Sequence, residues 1–498
     1  MTIMDARLSA QTFSRTPADT PARTEIAALA VILVVATVLR VIGLNGPLWF
    51  DEIVTVDTHL HLGWGDMMHH FEMNHHYLHN LQAKLAMALF GDADWVVRLP
   101  AMLMGLATVV AVWWLARQIG GRAVGLVVAA LMATSYHEIW FSQNARGYTE
   151  LAFWSSLGTI LYLRGLRQPD GATWMGYGVT LMLATFTHLT GAFLFAAQGL
   201  VWLGVLARRM ADGSLDRKLV LWPAAGYLFG AVLTVAVYLP LLPSLIATVS
   251  GVSATSAVDV MAEYQSPFWT VLEGVQTALG HAGIVSILVA VAVFVLTVVG
   301  GVAARGTTPQ FGVMVLVHVL LTVAILSVLG MRIWPRFFFA DIGFLLILIV
   351  MGVRAVCALL GSHRDRRSAI LFALSAAAMV AISGALAVRN YVAPKQDLAG
   401  AVALVSEIRQ PGERVYAVGP GAEIFRGHFG RDWRGIGSDG DYDEAMAVPG
   451  PVLLVVAFPD RSFRLVPHLQ NDRNTRLELV RRLPGTLGDG SIFILRRP

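Results

Sequence analysis

The stretch GPLWFDEIVTVD, residues 46–57, sets two adjacent carboxylates, Asp51 and Glu52, between Trp49/Phe50 and Ile53/Val54. It directly follows the apolar run IAALAVILVVATVLRVIGL. A solvated loop has no need of a charge pair in an aromatic and aliphatic setting. A site that must hold a base at a membrane surface does, since a carboxylate within hydrogen-bond reach can take the proton of an attacking hydroxyl. Other ionisable residues fall at outer helix ends or in the adjoining loops: His75, His76, Arg98, Arg146, His188, Arg332 and Arg336. Charges at such depth are costly and usually functional. Each one alone has a plainer reading. A lone arginine at a helix end more often snorkels to headgroups, and Asp51/Glu52 could be a helix cap or a charge that sets topology. Carboxylates and arginines converging on one face point instead to a site for an anionic, lipid-linked substrate. The histidines at 69, 70, 75, 76 and 79 could form a metal cluster, but their spacing matches no standard zinc pattern. No cofactor is indicated, and a divalent metal is left open.

These residues need a membrane scaffold to hold them. Apolar residues make up 56% of the 498-residue chain and charged residues 14%. Mean hydropathy is +0.63. A soluble domain carries about 25% charged residues. The apolar runs are long and do not alternate, so helices are the reading and a barrel is not. We count about eleven spans, near 26–44, 96–117, 123–141, 149–166, 173–189, 191–207, 219–246, 280–303, 311–330, 337–357 and 368–388. Residues 1–25 form a polar N-terminal tail, and the first run is too long for a cleaved leader. With that tail in the cytoplasm, arginine and lysine collect in the inner loops, which favours an odd number of spans. Two long outer loops are expected, at 45–95 and 247–279. The segment near 77–90 within the first is amphipathic and should lie in the interface.

After Val388 the composition changes, and no membrane-length apolar run remains. DLAGAVALVSEIRQ reads as a helix, and ERVYAV, PVLLVVAF and SIFILR read as strands. The fold class is therefore an α-helical polytopic membrane protein, residues 26–388, with a small α/β domain, 389–498, on the outer face. A small net charge of +4 does not suggest nucleic acid as a partner, and the sequence has no nucleotide-binding loop. The one cysteine, Cys357, permits no disulfide within the chain.

Taken in order, LWFDE, NHHYLHN, ALFGDADWVVRLP, NARGYTE and WPRFFFAD resemble the GT-C superfamily of membrane glycosyltransferases. These use dolichyl- or polyprenyl-phosphate sugars and include protein mannosyltransferases and the aminoarabinose transferase of lipid A. The resemblance is strong over residues 26–165. It departs at His76 and Tyr77, where the family pattern has prolines, at Asn144, where it has a glutamate, and at Phe337, where it has a tyrosine. It implies a GT-C-type transmembrane catalytic domain in the inner membrane, acting on its outer face. The donor would be a polyprenyl-phosphate sugar, and the acceptor a hydroxyl of a lipid, glycan or protein. It assigns Asp51 as general base in an inverting transfer, with Glu52 orienting the acceptor or an arginine. Arg146 and Arg336, supported by Arg98, would bind the donor phosphate. Asn74, His75, Tyr148 and His188 would line the substrate site, with Trp49 and Phe50 anchoring the loop at the membrane surface. The rival reading is a transporter or flippase for lipid-linked sugars or other amphipathic molecules. It would need ionisable residues near mid-bilayer, broken helices there, and repeated halves, and no repeat is visible.

Overall fold

The computed structural model describes residues 20–72, 75–252, 266, 284–361 and 366–498. A helix stands at each of the eleven expected places. Among the described residues eight are long and apolar enough to cross a membrane, or nine if one bent pair is a single span. The other two, Tyr148–Arg167 and Gly171–Thr187, are helices of 20 and 17 residues. Gly171–Thr187 is the shorter, and Tyr148–Arg167 is less apolar for a packing reason. Thr149, Glu150, Ser155, Ser156 and Thr159 are buried inside the bundle, where polar groups find protein partners that lipid would not supply. By contrast, Val31, Val34 and Val38 on the first helix, Arg23–Val41, are exposed, as a lipid-facing surface requires. Of the outer loop expected at 247–279, only 247–252 and residue 266 are described, so AEYQSPFW lies largely outside the described residues.

The third span is broken. Helix Arg122–Thr134 stops at Ser135, whose side chain caps the next helix, Tyr136–Ser142, by accepting from Glu138 N at 3.4 Å. The two halves meet at 57°. A bend frees carbonyls of the last turn, and these must be satisfied inside the bundle. Arg40 does this. Fully buried, it donates to Ala133 O and Met132 O, each at 3.2 Å, and to Ser142 Oγ at 3.0 Å. The short second half thereby carries Gln143–Gly147 up against the loop 45–95.

The C-terminal unit is a five-stranded sheet in the order β2-β1-β3-β5-β4. Its strands are β1 Arg414–Val418, β2 Arg434–Ile436, β3 Val452–Ala457, β4 Glu478–Leu483 and β5 Ile492–Arg497. β1 pairs in parallel with β2 and β3, and β5 runs antiparallel to β3 and β4. The central β3 is buried at every position, which explains its unbroken apolar run. The expected helix is Leu398–Ile408, and β1, β3 and β5 are the expected strands. The edge strands β2 and β4 are additional. One core joins this sheet to the membrane-side loops. Ile53, Val97 and Ala145 pack in the same cluster as Val415, Leu453 and Ile494. Phe50 meets Phe458 edge-on at 5.2 Å. Phe458 is the one non-glycine residue with positive φ among the described residues, at 51°, an uncommon conformation for a bulky side chain. Trp49 is buried and donates to Asn144 Oδ1 at 3.1 Å. Trp49 and Phe50 thus anchor the loop to protein where the membrane surface was expected, Trp49 through Asn144 and Trp140 and Phe50 through Phe458 of the C-terminal unit.

Candidate active site

Phe50–Thr55 is one and a half turns of helix with Trp49 as its N-cap. Its carboxylates lie in the first turn, where the helix dipole favours negative charge. Successive helical residues point about 100° apart, so neighbouring Asp51 and Glu52 face different surroundings. Glu52 faces inward and is fully buried. Arg98 grips it as a fork, Nε to Oε1 at 2.7 Å and Nη2 to Oε2 at 2.6 Å. Ala145 N donates to Oε1 at 2.7 Å, and Trp49 N to Oε2 at 3.3 Å. Burial would push the Glu52 carboxyl up, but Arg98 and Lys395 outweigh it and hold the group below its ordinary value. Glu52 is therefore a permanently charged knot. It joins the loop 45–95 to the turn Gln143–Gly147.

Arg98, expected to support a donor phosphate, is instead the other half of that knot. Its remaining N–H groups donate to the carbonyls of Leu44 at 2.7 Å, Gly46 at 2.6 Å and Pro47 at 3.0 Å. All five guanidinium donors are engaged, which leaves none for a phosphate. Lys395, from the linker into the C-terminal unit, lies against the same knot. It donates to Gln143 O and sits over the Trp140 ring at 5.3 Å. Desolvation brings its ammonium down to about 7 despite the pull of Glu52.

Asp51 faces the other way. Its side chain is 15% exposed and its ion-pair partner is Arg336 Nη1 at 3.5 Å. Arg336 is 30% exposed and rests on the Trp334 ring at 4.7 Å. Trp334 is extended and Pro335 opens the short helical turn Pro335–Asp341, so the chain arrives straight before it turns, as the proline predicts. Beneath the turn, Asp341 Oδ1 meets His318 Nδ1 at 2.8 Å, a buried pair that fixes its far end. Arg146 is buried and donates to Thr55 Oγ1 at 3.3 Å, on the helix that carries Asp51.

Around Arg146 stands a cluster of rings. His76 lies 4.7 Å from Tyr148 and 4.9 Å from His188, and His188 lies 5.6 Å from Phe337. Burial, with Arg146 beside it, holds His76 well below the ordinary histidine value, so it is neutral. Gly147 makes this approach possible. A Cβ there would stand 2.7 Å from Thr187 Cγ2 and 3.1 Å from His76 Nδ1.

Of the expected site residues, Asp51, Arg146, Arg336, Tyr148 and His188 come together. His75 does not join them. It turns to a separate cluster with Tyr77 and His59, because adjacent residues before a helix start point apart. Asn74 lies outside the described residues. His76 and Thr55 are the additions. His76 stands where the resembled family has proline, and that departure was the available signal. A cavity of about 590 Å³ between the loop 45–95 and the C-terminal unit is lined in part by Asp57, Asp92, Asp94 and His428. Its aspartates disfavour a phosphate, and Asp51 is not among its lining residues.

The architecture can now be compared with known proteins. Residues 74–243, about a third of the chain, match the family described as dolichyl-phosphate-mannose-protein mannosyltransferase. ArnT from Cupriavidus metallidurans in the apo state superposes with a TM-score of 0.52 at 15% identity, covering 95% of this chain and 97% of that one. The fold is of the GT-C type. The same enzyme bound to undecaprenyl phosphate matches with a TM-score of 0.50 at 15% identity, covering 95% and 98%. The Archaeoglobus fulgidus oligosaccharyltransferase in complex with zinc and sulfate gives 0.50 at 12% identity, covering 86% of this chain and 68% of that one. No curated protein sequence matches. The ArnT likeness spans nearly the whole chain.

Proposed function

We propose that this protein is a membrane glycosyltransferase that moves a sugar from a polyprenyl-phosphate donor to an acceptor hydroxyl, with Asp51 as the general base. The observation that carries this reading is the split of the carboxylate pair. Glu52 is locked in a buried knot, while Asp51 keeps 15% of its side chain exposed, 3.5 Å from Arg336. The family match over residues 74–243 and the likeness to ArnT support it.

In the reaction the acceptor oxygen bonds to the anomeric carbon as its proton passes to the Asp51 carboxylate. The bond from that carbon to the phosphate oxygen breaks, and its electron pair leaves with the lipid phosphate. The leaving group gains negative charge, which the planar forks of Arg336 and Arg146 are suited to hold. Attack in line with the departing group inverts the anomeric centre. A donor phosphate that takes Arg336 also draws it from Asp51, so donor binding unmasks the base. His76, Tyr148 and His188 offer neutral rings on which a sugar can rest. In this reading the N-terminus is cytoplasmic and 389–498 lies outside, with Leu85, Leu89 and Phe90, all exposed on the helix Tyr77–Phe90, in the outer interface.

Membranes carrying the protein are incubated with radiolabelled polyprenyl-phosphate sugars. The expected result is label in a non-donor product that disappears with Asp51→Asn. Label released only as free polyprenyl-phosphate sugar on the opposite leaflet would indicate transport and sink the proposal.

A further inference from the structure

His59, His70 and Glu72 lie apart from Asp51, in the first outer loop. His59 belongs to the π-turn Val56–Leu60, which continues the Asp51 helix. His70 and Glu72 lie on the far limb of the same loop, just before His75 and His76. Glu72 stands between the two rings. Its Oε1 is 2.9 Å from His70 Nε2, and its Oε2 is 3.4 Å from His59 Nε2. One donor atom from each of the three residues falls within 4.8 Å of the others, the one such group among the described residues.

Hydrogen bonding alone does not account for His59. The ring is 1% exposed, and neither of its nitrogens has a hydrogen-bond partner. The 3.4 Å approach to Glu72 is longer than a normal hydrogen bond. Its other face is closed by His75, whose ring centre is 3.4 Å away. A buried imidazole needs a partner for its lone pair, and what lies in front of this one is a carboxylate and a second imidazole. We propose that His59, His70 and Glu72 form a binding site for a divalent cation of the zinc class.

Two imidazole nitrogens and one carboxylate oxygen are a ligand set that zinc favours and that magnesium or calcium, which prefer all-oxygen shells, do not. Bonds of about 2.0–2.1 Å in a tetrahedral shell set ligand atoms about 3.4 Å apart. The two Glu72 approaches, 2.9 and 3.4 Å, are already near that spacing. Closing the gap between the two histidines takes a small movement of His70, which is half-exposed. Outer partners are in place. Tyr77 Oη donates to His70 O at 2.7 Å and meets His75 Nδ1 at 2.5 Å. A cation here would tie the π-turn behind Asp51 to the limb that delivers His76 to Arg146. It would be a positioning device, and the inference does not depend on the reaction assigned to Asp51.

The test uses the full-length protein in nanodiscs, purified through a histidine-free tag. The protein is stripped with chelator and titrated with Zn²⁺, and in parallel with Co²⁺ for its visible spectrum. One equivalent per chain is expected, with the intense d–d bands of a tetrahedral cobalt site. His59→Ala and Glu72→Gln should each lower affinity more than about 100-fold, beyond the effect of an outer-shell partner. Because His59 is buried, His70→Ala is run beside it. That half-exposed ring can be removed without harm to folding, and its loss should weaken binding and abolish the tetrahedral bands. Failure of the wild type to retain an equivalent would overturn the site. So would a His70→Ala, Glu72→Gln double variant that binds cobalt with unchanged stoichiometry and spectrum.

Discussion

Asp51 and Glu52 are neighbours with opposite tasks, and substitution should separate them. Glu52→Gln removes the charge that compensates the buried Arg98 guanidinium. Breaking a buried pair in this way costs about 3–5 kcal/mol, so the main effect should be a lower melting temperature in nanodiscs. An unchanged melt would show that Glu52 is not the structural half of the pair. Arg336 is tested through lysine. A phosphate clamp needs the planar fork, whereas a helix anchor needs only charge and reach. Arg336→Lys should weaken donor binding, and Arg336→Ala should do so by on the order of 2–5 kcal/mol. Equal affinity in both variants would leave Arg146 as the phosphate ligand. Asp51, Arg146 and Arg336 were legible in the sequence as charges at outer helix ends. Arg98 looked the same there, and nothing in its neighbours told that three backbone carbonyls and Glu52 would take all its donors. His75 and His76 were equally ambiguous, since two adjacent histidines carry no sequence sign of which one faces Arg146.

The elements were legible where apolar length defines them and obscure where geometry does. Each span follows from an uninterrupted run that only a helix can satisfy in lipid. The break at Ser135 did not show, because both halves are apolar and the bend depends on Arg40, about a hundred residues away in sequence. The edge strands β2 and β4 were also missed. β4 is largely exposed and rich in arginine, with a register shift between Leu479 and Arg481, so it lacks the apolar signal that marks β3. The turn Gln143–Gly147 is where an element-scale change should act on chemistry. Gly147→Ala adds a methyl group 2.7 Å from Thr187 Cγ2 and 3.1 Å from His76 Nδ1. Overpacking of this kind costs about 1–3 kcal/mol. With the site displaced, kcat/KM should fall at least about tenfold while the chain stays folded. Full activity in Gly147→Ala would remove His76 from the substrate wall.

At the scale of the molecule, the C-terminal sheet and the bundle share one core, and the Asp51 helix lies within it. Lys395 crosses that junction and supplies a pH test. Its ordinary value is 10.5 and its folded value about 7. Between these the unfolded chain binds a proton that the folded chain lacks, so stability rises with pH over that window, by at most about 1.4 kcal/mol per pH unit. Below pH 7 the cost of the buried charge is complete. Thermal melts from pH 7 to 9 should therefore rise in the wild type, and Lys395→Met should raise the melt at pH 7 and flatten the slope. Parallel slopes in the two proteins would place the titration elsewhere.

The base at Asp51 is the centre of this account, and a single-turnover rate tests it most directly. Purified wild type and Asp51→Asn are saturated with the same radiolabelled polyprenyl-phosphate sugar in nanodiscs, and donor affinity is measured on the same samples. The asparagine keeps the shape and cannot accept the proton. The account predicts transfer slower by about two to four orders of magnitude, with donor affinity and melting temperature nearly unchanged. Wild-type transfer by Asp51→Asn would contradict it.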